Sequence, residues 1–345
     1  MKVAIDARLI GGTSTGDSTY WTCFLQSLSE NHREVELLFI SNQERPKNVP
    51  WLEKQSWIVA PARSSRWWSM VTFPLLARKM GAEITHGQYG ISPICRNGVS
   101  TVHDVSFKVN PYWFSGKDLM LLGMGVHNAA RRAKRIITVS DTSKDDIIRY
   151  FPAATDKTRV AFNACPPWIQ RKQGNHIVHA PGIPSEYLLT VGTNWARKNM
   201  QLAVDATRDL GISLVITGKN GADSRGEHVI PTGYVDTDTL STLYSGASLY
   251  LAPSLHEGFG ITLLEAMRCG APVVCGPGGA MPEVAGGAGL VLPDYDPATW
   301  SKAIGKLLHD PSKLSELKAK GFEREHDYTW AQSARAHVEI YRELI

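Results

Sequence analysis

Two glutamates, Glu257 and Glu265, stand in the run 256–274, HEGFGITLLEAMRCGAPVV. Gly258 and Gly260 flank Phe259, which suits a tight turn whose backbone N–H groups come close to a ligand. From Ile261 and Thr262 the apolar residues recur at helical spacing. Gly270 and Pro272 stop that helix before the apolar run Val273, Val274, Cys275. N–H groups at a helix N-terminus form a site for an anion such as phosphate. Carboxylates are poor partners for phosphate and good acceptors for sugar hydroxyls. The chemistry that satisfies both halves of the motif is recognition of a glycosyl diphosphate. Two other constellations complement it. Arg197 and Lys198 follow an apolar run, Gly192 and Thr193, at the expected start of a helix. There the forked guanidinium and the ammonium can clamp a diphosphate. His103 follows Ser100-Thr101-Val102 at an expected strand end, where a histidine is placed for a polar contact with a sugar hydroxyl or a diphosphate.

These side chains need strands that end in loops. Apolar runs at 2–7, 35–41, 57–60, 83–86, 135–140 and 159–163 predict one set, and 187–192, 214–217, 229–233, 249–252 and 273–275 a second. Helical periodicity lies between them, as in alternating α/β folds. The Gly/Ser/Thr-rich stretch 11–20, with Gly16, is predicted as a loop over a phosphate, leading into a helix with Tyr20, Trp21, Phe24 and Leu28. It is not GxGxxG, so a dinucleotide fingerprint is absent. The basic, Trp-rich stretch 63–79 reads as a packing helix in preference to a helix lying on lipid, with Pro74 breaking its periodicity. His86 is equally a capped strand end or a substrate contact. Ser140 reads as a helix cap. The aperiodic, Pro- and Gly-bearing stretch 165–186 reads as a linker.

The chain of 345 residues is 43% hydrophobic and 20% charged, ordinary for a soluble protein and long enough for two domains. We place them at 1–170 and 171–328, with a final amphipathic helix at 329–345. No apolar run is long enough to span a bilayer, and Asp6 and Arg8 near the start favour a first strand over a signal peptide. The five cysteines are scattered, with no metal-ligand spacing, which predicts free thiols in a reducing, cytoplasmic setting. Residues 1–170 hold 21 Lys+Arg against 14 Asp+Glu, and the remainder 16 against 19. The basic half reads equally as ordinary solvated surface charge or as a surface for an anionic partner. No nucleic-acid-binding motif is present. A membrane surface, met peripherally from the cytoplasmic side, or a diphosphate-bearing acceptor is expected instead.

The run 256–274 resembles the Glu-x7-Glu signature of retaining glycosyltransferases of family 4. The likeness continues in His103-Asp104-Val105-Ser106-Phe107 with Asn110-Pro111-Tyr112-Trp113-Phe114, in Arg197-Lys198-Asn199 and in Gly233-Tyr234-Val235. It spans nearly the whole chain. It implies a GT-B fold: two Rossmann-like doubly wound α/β domains facing across a cleft, with a C-terminal helix crossing back to the first. It assigns Glu257 to the donor sugar and Glu265 to the nucleotide ribose. The backbone at Tyr234 and Val235 would hold the base. N–H groups at Gly258, Phe259, Gly260, Ile261 and Thr262 would hold sugar and phosphates, and His103 would contact the donor. Gly16 and Thr193 would line the donor site. Asp17, Ser18 and Thr19 depart from the family's usual apolar-Gly-Arg, which removes a basic contact from that loop.

The resemblance implies metal-independent transfer of a hexose from a nucleotide-diphosphate sugar to a glycan, lipid-linked or small-molecule acceptor in polysaccharide biosynthesis. The likeness to bacterial mannosyl- and rhamnosyltransferases leans towards GDP-mannose. No cofactor or metal is expected, since Arg197, Lys198 and helix N-termini supply the positive charge. The alternatives are an epimerase-like enzyme, a sugar phosphorylase, or a non-catalytic sugar-nucleotide-binding protein on the same fold.

Overall fold

Short apolar runs with helices on either side form two all-parallel sheets in the computed structural model, which describes residues 1–11, 16–173, 182–193, 195–218 and 226–345. The first sheet is built from β1 (Lys2–Asp6), β2 (Glu36–Ser41), β3 (Ser56–Val59), β4 (Ile84–Gln88), β5 (Gly98–Thr101), β6 (Arg135–Thr138) and β7 (Thr158–Val160). Its order is β3-β2-β1-β4-β5-β6-β7. Val3, Ala4 and Ile5 of the central strand are fully buried, as expected where helices cover both faces. The second sheet uses β8 (Tyr187–Val191), β9 (Ser213–Thr217), β10 (Val229–Gly233), β11 (Leu249–Ala252), β12 (Val273–Cys275) and β13 (Gly289–Val291), in the order β10-β9-β8-β11-β12-β13. Its core gathers Leu188, Leu214, Ile216, Leu251, Val274 and Trp300.

Each sheet reverses its strand order once, between β1 and β4 and between β8 and β11. In open parallel sheets such reversals open a crevice at the carboxyl ends of the two strands, where ligands bind. The chain divides into two units, Met1–Asn163 with Thr329–Ile345, and Ala164–Tyr328. Of the predicted linker 165–186, residues 174–181 lie outside the described residues.

The first unit is closed by the helix Trp330–Arg342, which starts with a capping box between Thr329 and Gln332. It lies against the helix Gly16–Asn31, with His337 stacked on Phe24 at 4.2 Å. A buried chain of hydrogen bonds joins it to the sheet. His337 Nδ1 meets the Ser333 carbonyl at 2.7 Å, so this nitrogen carries the proton. Its Nε2 then accepts from the Tyr20 hydroxyl at 2.7 Å. Tyr20 meets Thr101 Oγ1 at 3.0 Å, Thr101 meets His86 Nε2 at 2.8 Å, and His86 Nδ1 meets the Tyr341 hydroxyl at 2.6 Å. One direction satisfies every member: Tyr341 donates to His86, His86 to Thr101, Thr101 to Tyr20 and Tyr20 to His337. Both rings are neutral in it. The structure thus resolves the open reading of His86, which is fully buried and internally bonded.

Two local expectations are corrected. Pro74 does not break the helical stretch: Ser65–Trp67 continues through a π turn, Trp68–Thr72, into Phe73–Lys79. The π turn shifts the hydrogen-bond ladder just where proline lacks its N–H. Trp68 is fully buried and donates to Asp6 at 3.2 Å, while Trp67 is exposed. The loop expected at 11–20 is also shorter, because a helix already begins at Gly16. Asp17 in its first turn is favoured by the helix dipole, and Tyr20 and Trp21 are buried. Residues 12–15 of that stretch lie outside the described residues. All five cysteines are free thiols. Among the described residues no helix is long and apolar enough to cross a membrane.

Candidate functional site

In the second unit, the loops after β8 and β11 leave the sheet at its point of reversal. The first passes Thr193 and Trp195 into a 3₁₀ turn, Ala196–Lys198. Asn199 adopts a left-handed conformation (φ 51°) before the helix Met200–Thr207, a geometry that asparagine tolerates better than most residues. The second loop runs from Pro253 to Gly260. The two are tied by the Leu255 amide, which donates to the Arg197 carbonyl at 2.7 Å.

That tie brings three predicted residues together. Arg197 Nη1 donates to Glu257 Oε2 at 2.9 Å and to the His256 carbonyl at 3.2 Å. Lys198 Nζ donates to Glu257 Oε1 at 2.6 Å. Each oxygen of the carboxylate therefore holds one cation. Burial alone would raise the Glu257 carboxyl, but the adjacent Lys198 and Arg197 charges outweigh it and hold the group well below the usual carboxylate range. Two cations against one carboxylate leave the cluster net positive.

Backbone geometry braces Glu257. Gly279, in the left-handed region (φ 63°), lies so close to the Glu257 backbone that a Cβ there would collide with it. The Ala280 amide donates to the Glu257 carbonyl at 2.9 Å. Gly260 (φ 93°) turns the chain into the helix Ile261–Cys269. Phe259 is buried edge-on to Tyr328 at 5.3 Å, so its ring belongs to the core and only its backbone can face a ligand. Ile261 and Thr262 form the first turn of that helix. Tyr234, just beyond β10, is 69% exposed, with Val235 beside it.

Glu265 lies on the same helix and is largely buried, with the Tyr244 hydroxyl donating to its Oε2 at 2.9 Å. Burial pushes its carboxyl up to about 7, against the pull of the Tyr244 hydroxyl and the Lys198 and Arg268 charges. Arg268 is held by Glu325, with Nε to Oε1 at 3.0 Å, and donates to the Pro166 carbonyl at 2.8 Å.

In the first unit, His103 follows β5, and its Nε2 lies 3.4 Å from Gln88 Oε1 and 3.6 Å from Asp17 Oδ1. Gln88 Nε2 donates to Asp17 Oδ2 at 2.8 Å, and Trp21 Nε1 donates to Gln88 Oε1. Both neighbours of Nε2 are acceptors, so Nε2 carries the ring proton. Sequence reading noticed Asp17 only as a lost basic residue. The structure gives it Gln88 and His103 as partners. Gly16 opens the helix that carries Asp17. Ser140 caps the helix Asp141–Tyr150 by accepting from the Ser143 amide at 2.9 Å.

The sequence holds two Asp-x-Asp triplets, a spacing that can ligate a metal ion: Asp236-Thr237-Asp238 and Asp294-Tyr295-Asp296. Asp236 caps the helix Thr237–Gly246 through the Thr239 amide at 2.8 Å, and Asp296 caps Pro297–Leu308 through the Thr299 amide at 2.9 Å. Capping accounts for both. Among the described residues no three His, Cys, Asp or Glu side chains cluster as metal ligands would.

Residues 185–310 match the family model described as glycosyl transferases group 1. The second unit carries a group 1 glycosyltransferase domain. Across a wider span, the chain is 29% identical to O-antigen chain mannosyltransferase B of Escherichia coli over 274 residues, covering 71% of this chain and 70% of that protein. It is 30% identical to O-antigen chain mannosyltransferase RfbU of Salmonella typhimurium over 242 residues, 65% of each. It spans only 29% of the serotype-specific mannosyltransferase WbdA of E. coli. Among solved structures, sucrose-phosphate synthase from Thermosynechococcus elongatus superposes with a TM-score of 0.78 at 18% identity, covering 100% of this chain and 99% of that one. Anabaena HepE in complex with UDP and glucose gives 0.76 at 16%, covering both chains fully. The group 1 glycosyltransferase domain thus sits in a chain with the GT-B type of fold, two Rossmann-like parallel-sheet units.

Proposed function

We propose that this glycosyltransferase moves a hexose, with mannose from GDP-mannose as the first candidate, to a hydroxyl of a glycan or lipid-linked acceptor in polysaccharide assembly, with retention of anomeric configuration. The observation that carries the reading is the Arg197–Lys198–Glu257 cluster at the reversal point of the second sheet. Its net positive charge and the N–H groups at the start of Ile261–Cys269 suit the diphosphate. Glu257 accepts from sugar hydroxyls, Glu265 from the ribose, and the backbone at Tyr234 and Val235 holds the base. His103 takes the polar contact with sugar or diphosphate that the resemblance implies. No metal is needed in this reading, since the leaving group's charge is met by side chains and backbone.

In the transfer step, the bond from the acceptor oxygen to the anomeric carbon forms as the bond to the diphosphate breaks. The departing diphosphate oxygen takes the acceptor's proton. No covalent nucleophile is assigned. The mannosyltransferase names of the relatives support mannose, and the UDP-bound structural neighbour supports a nucleotide donor.

The test is a thermal-shift panel of UDP-, GDP-, dTDP- and ADP-sugars, followed by turnover with the sugar nucleotide that binds. A saturating donor at about 100 times its Kd stabilises by about 2.7 kcal/mol, and the largest shift is expected with GDP-mannose. A flat response to the whole panel overturns the reading. With Glu265 titrating near 7, donor affinity is expected to rise with pH from about 6 to 8, because only the ionised carboxylate accepts from both ribose hydroxyls. Isothermal titration at the two pH values checks it.

A peripheral contact with an anionic bilayer, on the cytoplasmic side, belongs to the same proposal. Trp67 is exposed beside Arg63, whose guanidinium lies 5.5 Å from its ring centroid, and Arg66 reaches Met124 Sδ at 3.8 Å. Met120, Leu121 and Met124 are exposed on the helix Gly116–Arg132. Co-sedimentation with phosphatidylglycerol vesicles, but not phosphatidylcholine vesicles, is the expected result, lost on raising salt. Equal recovery with both lipids overturns it.

A further inference from the structure

Glu265 is held by a group that the signature motif does not contain. The helix Thr237–Gly246 lies beside Ile261–Cys269 and sends Tyr244 across to it, where the phenol donates to Glu265 Oε2 at 2.9 Å. Tyr244 is fully buried and sits edge-on to Tyr250, itself buried, with ring centroids 5.4 Å apart. A tyrosine ring has only two side-chain torsions, so packing on this scale fixes the hydroxyl as well as the ring. Burial and the Glu265 charge push the phenol's own pKa far up, so it remains a donor. A buried phenol needs an acceptor, and a buried carboxylate needs a donor; here each supplies the other.

We infer that Tyr244 is a positioning residue for nucleotide recognition: by occupying Oε2 it fixes the plane of the Glu265 carboxylate and leaves Oε1 to accept from the vicinal hydroxyls of a ribose. The inference rests on the assignment of Glu265 to the ribose. A group that merely fills the core would affect every ligand of the unit alike. A group acting through Glu265 affects only ligands that carry the diol.

The experiment compares GDP, UDP and ADP with their 2′,3′-dideoxy counterparts, by calorimetric titration of the wild type, Tyr244→Phe and Glu265→Gln. The wild type is expected to prefer the ribo form, and Tyr244→Phe to narrow that preference by about tenfold while dideoxy binding stays unchanged. Tyr244→Phe keeping the wild-type ratio, or weakening both forms equally, overturns the role of Tyr244. A wild type without ribo preference, or a Glu265→Gln that keeps it, overturns the Glu265 assignment instead. Binding of none of the three nucleotides overturns the nucleotide-donor reading on which both rest. Should Tyr244→Phe fail to fold, Tyr244→Met, which fills the space without a donor, carries the same expectation. A wild-type ratio of ribo to dideoxy binding in it overturns the inference.

Discussion

A Glu257→Ala variant is expected to lose transfer by about a thousandfold at saturating donor, while binding free nucleoside diphosphate more tightly than the wild type. Both effects follow from one geometry. In the donor-free protein the carboxylate pairs with both Arg197 and Lys198, at 2.9 and 2.6 Å. A diphosphate must therefore compete with Glu257 for its own cations. Removing the carboxylate ends that competition and also removes the acceptor for the sugar hydroxyls. Binding and turnover are thus predicted to move in opposite directions, which a simple loss of folding cannot produce. The side chains of Arg197 and Lys198 are only 20% and 16% exposed. Stripping a buried pair of its partner costs about 3–5 kcal/mol, so the donor-free variant is expected to melt lower and to gain more from added GDP. Undiminished transfer at saturating donor would sink the assignment.

The other large effect belongs to the first unit. Lowering the pH from about 7 to 5 is expected to destabilise it by about 2 kcal/mol for a buried histidine whose pKa falls from 6.5 to about 4, as it does for His337. Burial is the main cause for both rings, and for His86 the His337 and His103 charges add to it. The unfolded chain protonates these imidazoles below about 6.5, and the folded one does not. Stability is therefore complete above that pH and is lost progressively as pH falls towards the folded value. A proton added to either ring would also reverse a hydrogen bond in a chain that has one satisfied direction. Amide exchange in Trp330–Arg342, corrected for its intrinsic pH dependence, is expected to speed up between the two conditions. His337→Gln is expected to flatten that dependence. Equal protection at pH 7 and 5 in the wild type would count against the account.

Five of the six strands of the second sheet were legible as short runs bounded by turn residues; 229–233 and 249–252 coincide with β10 and β11, whereas the three-residue edge strand β13, Gly289–Val291, is too short to stand out from the glycine-rich stretch before it. Glu257, Arg197 and Lys198 were legible as candidates because each follows such a run, and strand ends are where parallel sheets hold ligands. Their direct contact was not. It depends on the Leu255–Arg197 backbone bond between loops some sixty residues apart, which no periodicity announces. Tyr244 and Gln88 were missed for a related reason. One reads as an ordinary apolar helix position and the other as a strand end, and only packing reveals the carboxylate opposite each. Glu265 could be named from its spacing, but its shift towards 7 is a property of burial. Pro74 misled because proline usually ends a helix, and the π turn that accommodates it leaves no mark in composition.

The division of the chain also sets an order of assembly during synthesis. The first unit is interrupted by Ala164–Tyr328 and completed only by Thr329–Ile345. At roughly 5–20 residues per second on the ribosome, its sheet waits on the order of ten to thirty seconds for the helix that carries His337 and Tyr341. During that interval Tyr20, Phe24 and His86 lack the hydrogen-bonding and stacking partners that His337 and Tyr341 supply. The second unit is continuous in sequence and needs nothing later than Tyr328 to close. The half that holds Arg197 and Glu257 is thus in a position to mature first, and the half that begins the chain is finished last.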